Sequence, residues 1–209
     1  MIRWGLIGCG DVAHKRVADA ILQDSRSTLV AACRRNSEKL ASFASQFNVP
    51  STTTDAMELI RQTDVDAVYI ATPVSLHCEQ TLAAAEAGKH VLVEKPMAMN
   101  PAECKQMVDQ CQESSVTLGV AFYRPFYPVI TRVRSILKGK EIGRTLSVLV
   151  TTGNPTRFPA DDWRVVLSEG GGGPLMDIGS HRLDLLIDLF GQVTESSGFT
   201  IASPDYEAE

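Results

Sequence analysis

The sequence predicts an α/β protein, with a doubly wound parallel sheet over residues 1–121 and an incomplete α+β domain with an open sheet over residues 122–209. Three observations lead there. Through the first 120 residues short β-rich runs alternate with amphipathic stretches, the mark of crossover helices between parallel strands. The first of these runs ends in a glycine-rich turn, Gly8-Cys9-Gly10-Asp11-Val12-Ala13, which opens a helix. After residue 122 the alternation gives way to two helical stretches separated by a long loop rich in Pro, Asp and Gly.

The predicted strands of the first domain are Arg3–Ile7, Thr28–Cys33, Ala67–Ala71, His90–Val93 and Thr117–Ala121, each rich in aliphatic or β-branched residues. Helices are predicted near 12–23, 37–47, 55–62, 76–87 and 101–114. Asn100 can cap the last of these, with Pro101 at its first position and Glu103 at its third; Asp55 and Glu58 repeat that capping-box spacing. Gly88 is a predicted helix stop. In the second domain the pattern predicts a helix over 126–138 stopped by Gly139, a strand over 144–152 and a loop over 153–174. A helix over 175–190 stopped by Gly191 follows, with one further strand in the tail 194–209.

Bulk properties exclude several classes. The chain of 209 residues is 44% hydrophobic, with a formal net charge of −5, which disfavours nucleic acid and anionic membranes as main partners. The first apolar run, Ile2–Ile7, is too short to span a bilayer and leads into the glycine turn, so a strand is expected rather than a secretion signal. The cytoplasm is the expected location. Five scattered cysteines (Cys9, Cys33, Cys78, Cys104 and Cys111) form no CxxC pair, so reduced thiols and no metal site are expected.

The turn after the first strand carries the most chemistry. GxGxxA between a strand and a helix is the dinucleotide-binding fingerprint of a Rossmann domain. Gly8 permits the tight turn, Gly10 lets backbone approach a pyrophosphate, and Ala13 allows close helix–strand packing. Asp11 and Val12 open the helix, whose N-terminal N–H groups and positive dipole end favour phosphate. An NAD-binding domain normally has an acidic residue at the end of the second strand for the ribose hydroxyls. Here that strand runs into Arg34-Arg35-Asn36, so two guanidinium groups can clamp a 2′-phosphate instead. NADP(H) is the expected cofactor and NAD(H) the alternative.

Further motifs fall at strand ends: Thr72-Pro73 with His77 after the Ala67–Ala71 run, Glu94-Lys95-Pro96 after His90–Val93, and Asp177-x-x-x-His181 after a run of four glycines. Together these resemble the Gfo/Idh/MocA family of oxidoreductases over essentially the whole chain. The resemblance implies hydride transfer between NAD(P) and a hydroxyl or carbonyl carbon of a sugar, inositol or related polyol. It also implies self-association through the C-terminal sheet. Such proteins usually exceed 300 residues, so a C-terminally truncated substrate domain is expected.

By that resemblance Lys95 lies near the nicotinamide and exchanges a proton with the substrate oxygen. An ammonium beside a developing alkoxide stabilises its charge, and Pro96 biases Lys95 away from helical geometry. The resemblance gives His181 an acid/base role, with Asp177 binding substrate or assisting it; at i, i+4 on one helix the two share a face. Glu94, Lys95, Pro96, Thr72, Pro73 and His77 are candidate cofactor contacts. Tyr123, Arg124, Trp163 and Arg164 join Lys95, Asp177 and His181 as candidate substrate contacts. Asp184 and Asp188 are expected to be structural. The competing expectation is an NADP(H)-binding regulatory module without a complete substrate pocket.

Overall fold

The computed structural model describes residues 1–153, 159, 162–173 and 175–199. The chain divides into two compact units, Met1–Ala121 and Phe122–Glu209.

In the first unit six strands form one parallel sheet: β1 (Ile2–Ile7), β2 (Ser27–Cys33), β3 (Ser51–Thr53), β4 (Ala67–Ile70), β5 (His90–Val93) and β6 (Leu118–Val120), in the order β3-β2-β1-β4-β5-β6. Chain order reverses between β1 and β4, which makes the crevice beyond the carboxyl ends of those strands the expected ligand site. The doubly wound sheet expected from the alternation is therefore present. Its one unforeseen strand is β3, three polar residues with no apolar period, recruited by pairing with the end of β2.

Alternation along each strand builds two cores. Ile7, Val68, Ile70, Val91 and Val93 face one side, against Leu59 and Met107 from helices α3 (Ala56–Ile60) and α5 (Pro101–Glu113). Leu6, Ala32 and Tyr69 face the other, against Ala13, Ala18, Ile21, Leu40 and Phe43 from the first two helices. The sheet is buried on both faces, as parallel sheets require. Gly5 is small for a packing reason: a Cβ there would lie 2.5 Å from the Leu59 side chain.

The helix after β1 opens at Asp11, winds as a π-helix over Ala13–Val17 and continues as α1 (Ala18–Gln23). Its five-residue turn stacks the fully buried Ala13 and Ala18 on one face. Helix α2 (Ser37–Phe47) is capped by Asn36, whose Oδ1 accepts from the Lys39 N–H at 2.8 Å. Helix α4 (His77–Glu86) follows a short 3₁₀ turn, Val74–Leu76. At α5 the cap forms with its return bond one residue early: Asn100 Oδ1 accepts from the Glu103 N–H at 2.9 Å, and Glu103 accepts from the Met99 N–H at 3.1 Å rather than from that of Asn100. At α3 the box forms only in part. Asp55 caps the Met57 N–H at 2.8 Å, but the Asp55 N–H donates to the Thr53 hydroxyl, which itself donates to Glu58.

The second unit contains α6 (Pro128–Lys138), α7 (Leu167–Gly170) and α8 (Ser180–Phe190), with a π-helical turn Leu175–Gly179 leading into α8. The predicted strand over 144–152 is not formed. Those residues have no ladder partner among the described residues, and Leu146 and Leu149 are 84% and 90% exposed. A strand exists only where a neighbour takes its hydrogen bonds, and local β-propensity cannot supply one. The expected open sheet, and self-association through it, thus have no strand among the described residues of this unit; the predicted tail strand lies mostly outside them. Near Gly139 the left-handed residue is Lys140, at φ 54°. No helix of the described residues is long and apolar enough to cross a membrane.

Candidate active site

The glycine turn is fixed by contacts that leave little choice of residue. Gly8 has φ +92°, and a Cβ there would lie 2.5 Å from the carbonyl of Ala71 at the end of β4. Its N–H donates to the Cys33 carbonyl at the end of β2 at 2.9 Å, so this one residue ties three neighbouring strands together. Gly10 differs. A Cβ there would meet nothing within 4 Å, so its missing side chain leaves open space above the turn. That is the space a pyrophosphate needs at the helix N-terminus. Asp11 and Val12 stand beside it, both exposed, with Asp11 paired to Lys15 at 2.7 Å. Cys9 is buried beneath, its thiol pushed up to about 12 by burial, which disfavours the thiolate.

At the end of β2 the Arg34 guanidinium donates to the Cys9 carbonyl, which brings a cation onto the glycine turn. Arg35 beside it is exposed. The carboxylates of Asp55 and Glu58 are engaged at the start of α3. The end of β2 next to the turn therefore carries two cations, with Asp11 of the turn paired to Lys15.

The strand ends β4 and β5 form the next part of the edge. Thr72 donates its hydroxyl to Gln80 Oε1 at 2.8 Å, and Pro73 opens the 3₁₀ turn. Glu94 is held from two sides: the Tyr69 hydroxyl donates to Oε1 at 2.7 Å, and the Lys95 N–H donates to Oε2 at 3.2 Å. Lys95 is half-buried at the carboxyl end of β5, and the Lys95–Pro96 peptide bond is cis. His77 is 1% exposed, with Nε2 2.9 Å from the Thr72 carbonyl and Nδ1 3.1 Å from the Pro96 carbonyl. Burial lowers its pKa, against an opposing pull from the carbonyls that favour a charged ring. The first unit thus gathers Gly8, Gly10, Arg34, Thr72, Glu94, Lys95 and Pro96 at the carboxyl ends of four neighbouring strands. Tyr69 and Gln80 were missed by sequence reasoning. Tyr69 was the more findable, as the one aromatic in the strand Ala67–Ile70.

In the second unit His181, 4% exposed, lies edge-on to the rings of Phe122 and Tyr123, at 5.9 and 5.1 Å between centroids. Arg164 stacks over Trp163, with Cζ 4.6 Å from the ring centroid. The same guanidinium bonds Asp162 at 3.1 Å and reaches Asp177 at 4.0 Å. Arg124 lies in a 3₁₀ turn with Nε buried. Asp188 pairs with Arg134 of α6 at 2.6 Å, in keeping with a structural role. The described residues hold no cluster of three or more His, Cys, Asp or Glu that could bind a metal, and all five cysteines are free.

Family profiles match both units of the chain. The profile described as "oxidoreductase family, NAD-binding Rossmann fold" of the GFO/IDH/MocA group matches residues 2–122. The profile of the GFO/IDH/MocA C-terminal domain matches residues 130–209. "Oxidoreductase P35" of Formosa agariphila is 38% identical over 197 residues, covering 92% of this chain and 61% of that protein. The 1,5-anhydro-D-fructose reductase of Ensifer adhaerens is 36% identical over 186 residues, covering 89% of this chain and 56% of that protein. Among solved structures, KijD10, a 3-ketoreductase from Actinomadura kijaniata in complex with NADP and TDP-benzene, superposes with a TM-score of 0.80 at 28% identity. The match covers 91% of this chain and 57% of that one. The chain therefore spans about three fifths of the length of the curated relatives it matches.

Proposed function

The chain belongs to the GFO/IDH/MocA oxidoreductase family, and from that membership we propose that it transfers hydride between NADP(H) and a hydroxyl or carbonyl carbon of a sugar, inositol or related polyol. The observation that carries the proposal is the open space at Gly10, on a turn whose neighbouring rim bears Arg34 and whose sheet edge ends in Lys95. The 1,5-anhydro-D-fructose reductase among the relatives supports the substrate class.

The nicotinamide, when bound, supplies or accepts the hydride. The residues of this chain do the rest. The backbone at Gly10, Asp11 and Val12 holds the pyrophosphate, and Arg34 and Arg35 hold the 2′-phosphate that distinguishes NADP(H) from NAD(H). Thr72, Pro73, Glu94 and Pro96 line the path of the nicotinamide riboside. As hydride adds to the carbonyl carbon, its π pair moves onto oxygen, and Lys95 stabilises that charge and delivers the proton. In oxidation the same lysine polarises the hydroxyl and takes the proton. His181 is a second acid/base, with Asp177 binding substrate or assisting it, and Tyr123, Arg124, Trp163 and Arg164 are substrate contacts. The cytoplasm, which holds an NADPH pool, is the compartment this reading favours.

A panel of ketoses, aldoses, anhydrosugars and inositols, followed by NADPH absorbance, tests the proposal. Turnover of at least one supports it. Tight NADPH binding without turnover across the panel replaces it with the binding-module reading.

A further inference from the structure

We propose that His77 is a positioning residue for Lys95: its imidazole is a strut that sets the distance between the cofactor loop after β4 and the lysine loop after β5. The inference rests on the reading of Lys95 as the group that meets the substrate oxygen.

Three observations carry it. The ring is fully buried, and both nitrogens face backbone carbonyls, of Thr72 at 2.9 Å and of Pro96 at 3.1 Å. Whichever nitrogen carries the proton, the ring edge spans the gap between the two loops. Second, the Thr72 loop is held to the same helix by another bond, from the Thr72 hydroxyl to Gln80. The start of α4 therefore grips that loop at two atoms and reaches through His77 to the other. Third, Lys95 lies between two anchored neighbours. Glu94 is fastened by Tyr69, and Pro96 by His77. The backbone of the lysine is clamped on both sides, one clamp on each face of the sheet.

The clamp matters because proton transfer depends on geometry. A misplacement of about 1 Å can cost about a hundredfold in rate. The ring donates to one of the two carbonyls and packs its other nitrogen against the second, so an apolar side chain of similar bulk leaves a buried carbonyl without its donor.

The test compares His77→Leu, which fills the volume, with His77→Asn, which restores a donor toward Pro96. Each protein is assayed for turnover, for NADPH affinity, and for the reactivity of the Lys95 amine toward trace acetic anhydride, read by mass spectrometry with and without NADPH. We expect His77→Leu to lower kcat about a hundredfold and to abolish the NADPH-dependent shielding of Lys95, with dinucleotide affinity nearly unchanged. His77→Asn recovers most of both. A purely structural histidine predicts a lower melting temperature for His77→Leu, with kcat per folded molecule and Lys95 labelling as in wild type, and that result overturns the inference. If wild type turns over no substrate yet the labelling responds as expected, the hydride chemistry falls and the strut stands. Should His77→Leu fail to fold, His77→Asn against His77→Gln supplies the same contrast, and equal labelling in both and in wild type overturns the inference.

Discussion

The Arg34 guanidinium donates to the carbonyl of Cys9, so the cation at the end of the second strand is fastened to the glycine turn of the first. A side chain anchored in this way gives up less freedom when it meets a second anion, and a fork of donors suits a phosphate. The 2′-phosphate is the part of NADP(H) that lies next to this strand end in Rossmann domains. Replacing Arg34 and Arg35 together by alanine should raise the Michaelis constant for NADPH at least about tenfold, since each charge-assisted bond contributes roughly 1.5–3 kcal/mol. The constant for NADH should change little. Equal effects on the two cofactors would remove the assignment.

Gly8 and Gly10 should fail in different ways when changed to alanine. At Gly8 the new Cβ meets the Ala71 backbone at 2.5 Å and adopts φ +92°, so folding itself should suffer by about 2 kcal/mol or more. At Gly10 the Cβ meets nothing, so stability should stay within about 0.5 kcal/mol. The methyl group nevertheless occupies the approach to the turn, and NADPH affinity should drop at least about tenfold, a loss of roughly 1.4 kcal/mol. Thermal melts alongside fluorescence titrations separate the two outcomes. A Gly10→Ala protein that binds NADPH as wild type does would show that phosphate does not sit there.

Lys95→Ala should lower kcat by about 10²–10⁴-fold, the usual contribution of a positioned acid or base. Dinucleotide affinity should change by less than about threefold, because the phosphate contacts lie on other strands. Single-turnover kinetics with a saturating substrate make the measurement, and an unchanged rate would refute the role of this lysine.

One prediction concerns stability against pH. Asp66 bonds the Arg3 side chain at 2.6 and 3.0 Å and its N–H at 2.9 Å, and these bonds hold the carboxyl down at about 2. A folded value below the unfolded one, about 3.9, means the contribution is present above pH 4 and is lost as pH falls toward 2. Asp66→Asn should therefore melt below wild type at pH 6, with the gap about halved at pH 3 and closed only below pH 2. The gap should be small, because both side chains are part-exposed. A gap that is constant with pH would assign the effect to packing.

The parts of the fold legible in the sequence are those fixed by local chemistry. Gly8 was readable because a strand that turns sharply into a helix needs a positive φ there. Asn100 and Glu103 were readable because a cap satisfies donors within its own turn. What escaped is decided at a distance. The strand Ser51–Thr53 exists because β2 offers it a ladder, and residues 144–152 do not form one because none of the described residues offers it to them. The π-helical turn at Ala13–Val17 comes from packing its alanines onto the sheet, and no local signal announces it. In the site, Lys95 and Arg34 stood out by residue type and place. The holding of Glu94 by Tyr69 spans 25 residues and needed the sheet register to be seen.

The central claim is that the glycine turn binds a nicotinamide dinucleotide. It is tested most directly by titrating the purified, folded chain with NADPH and with NADH and following nicotinamide fluorescence. Saturable binding at one molecule per chain, tighter for NADPH, is the predicted result. No measurable affinity for either nucleotide would contradict the account, and the hydride chemistry with it.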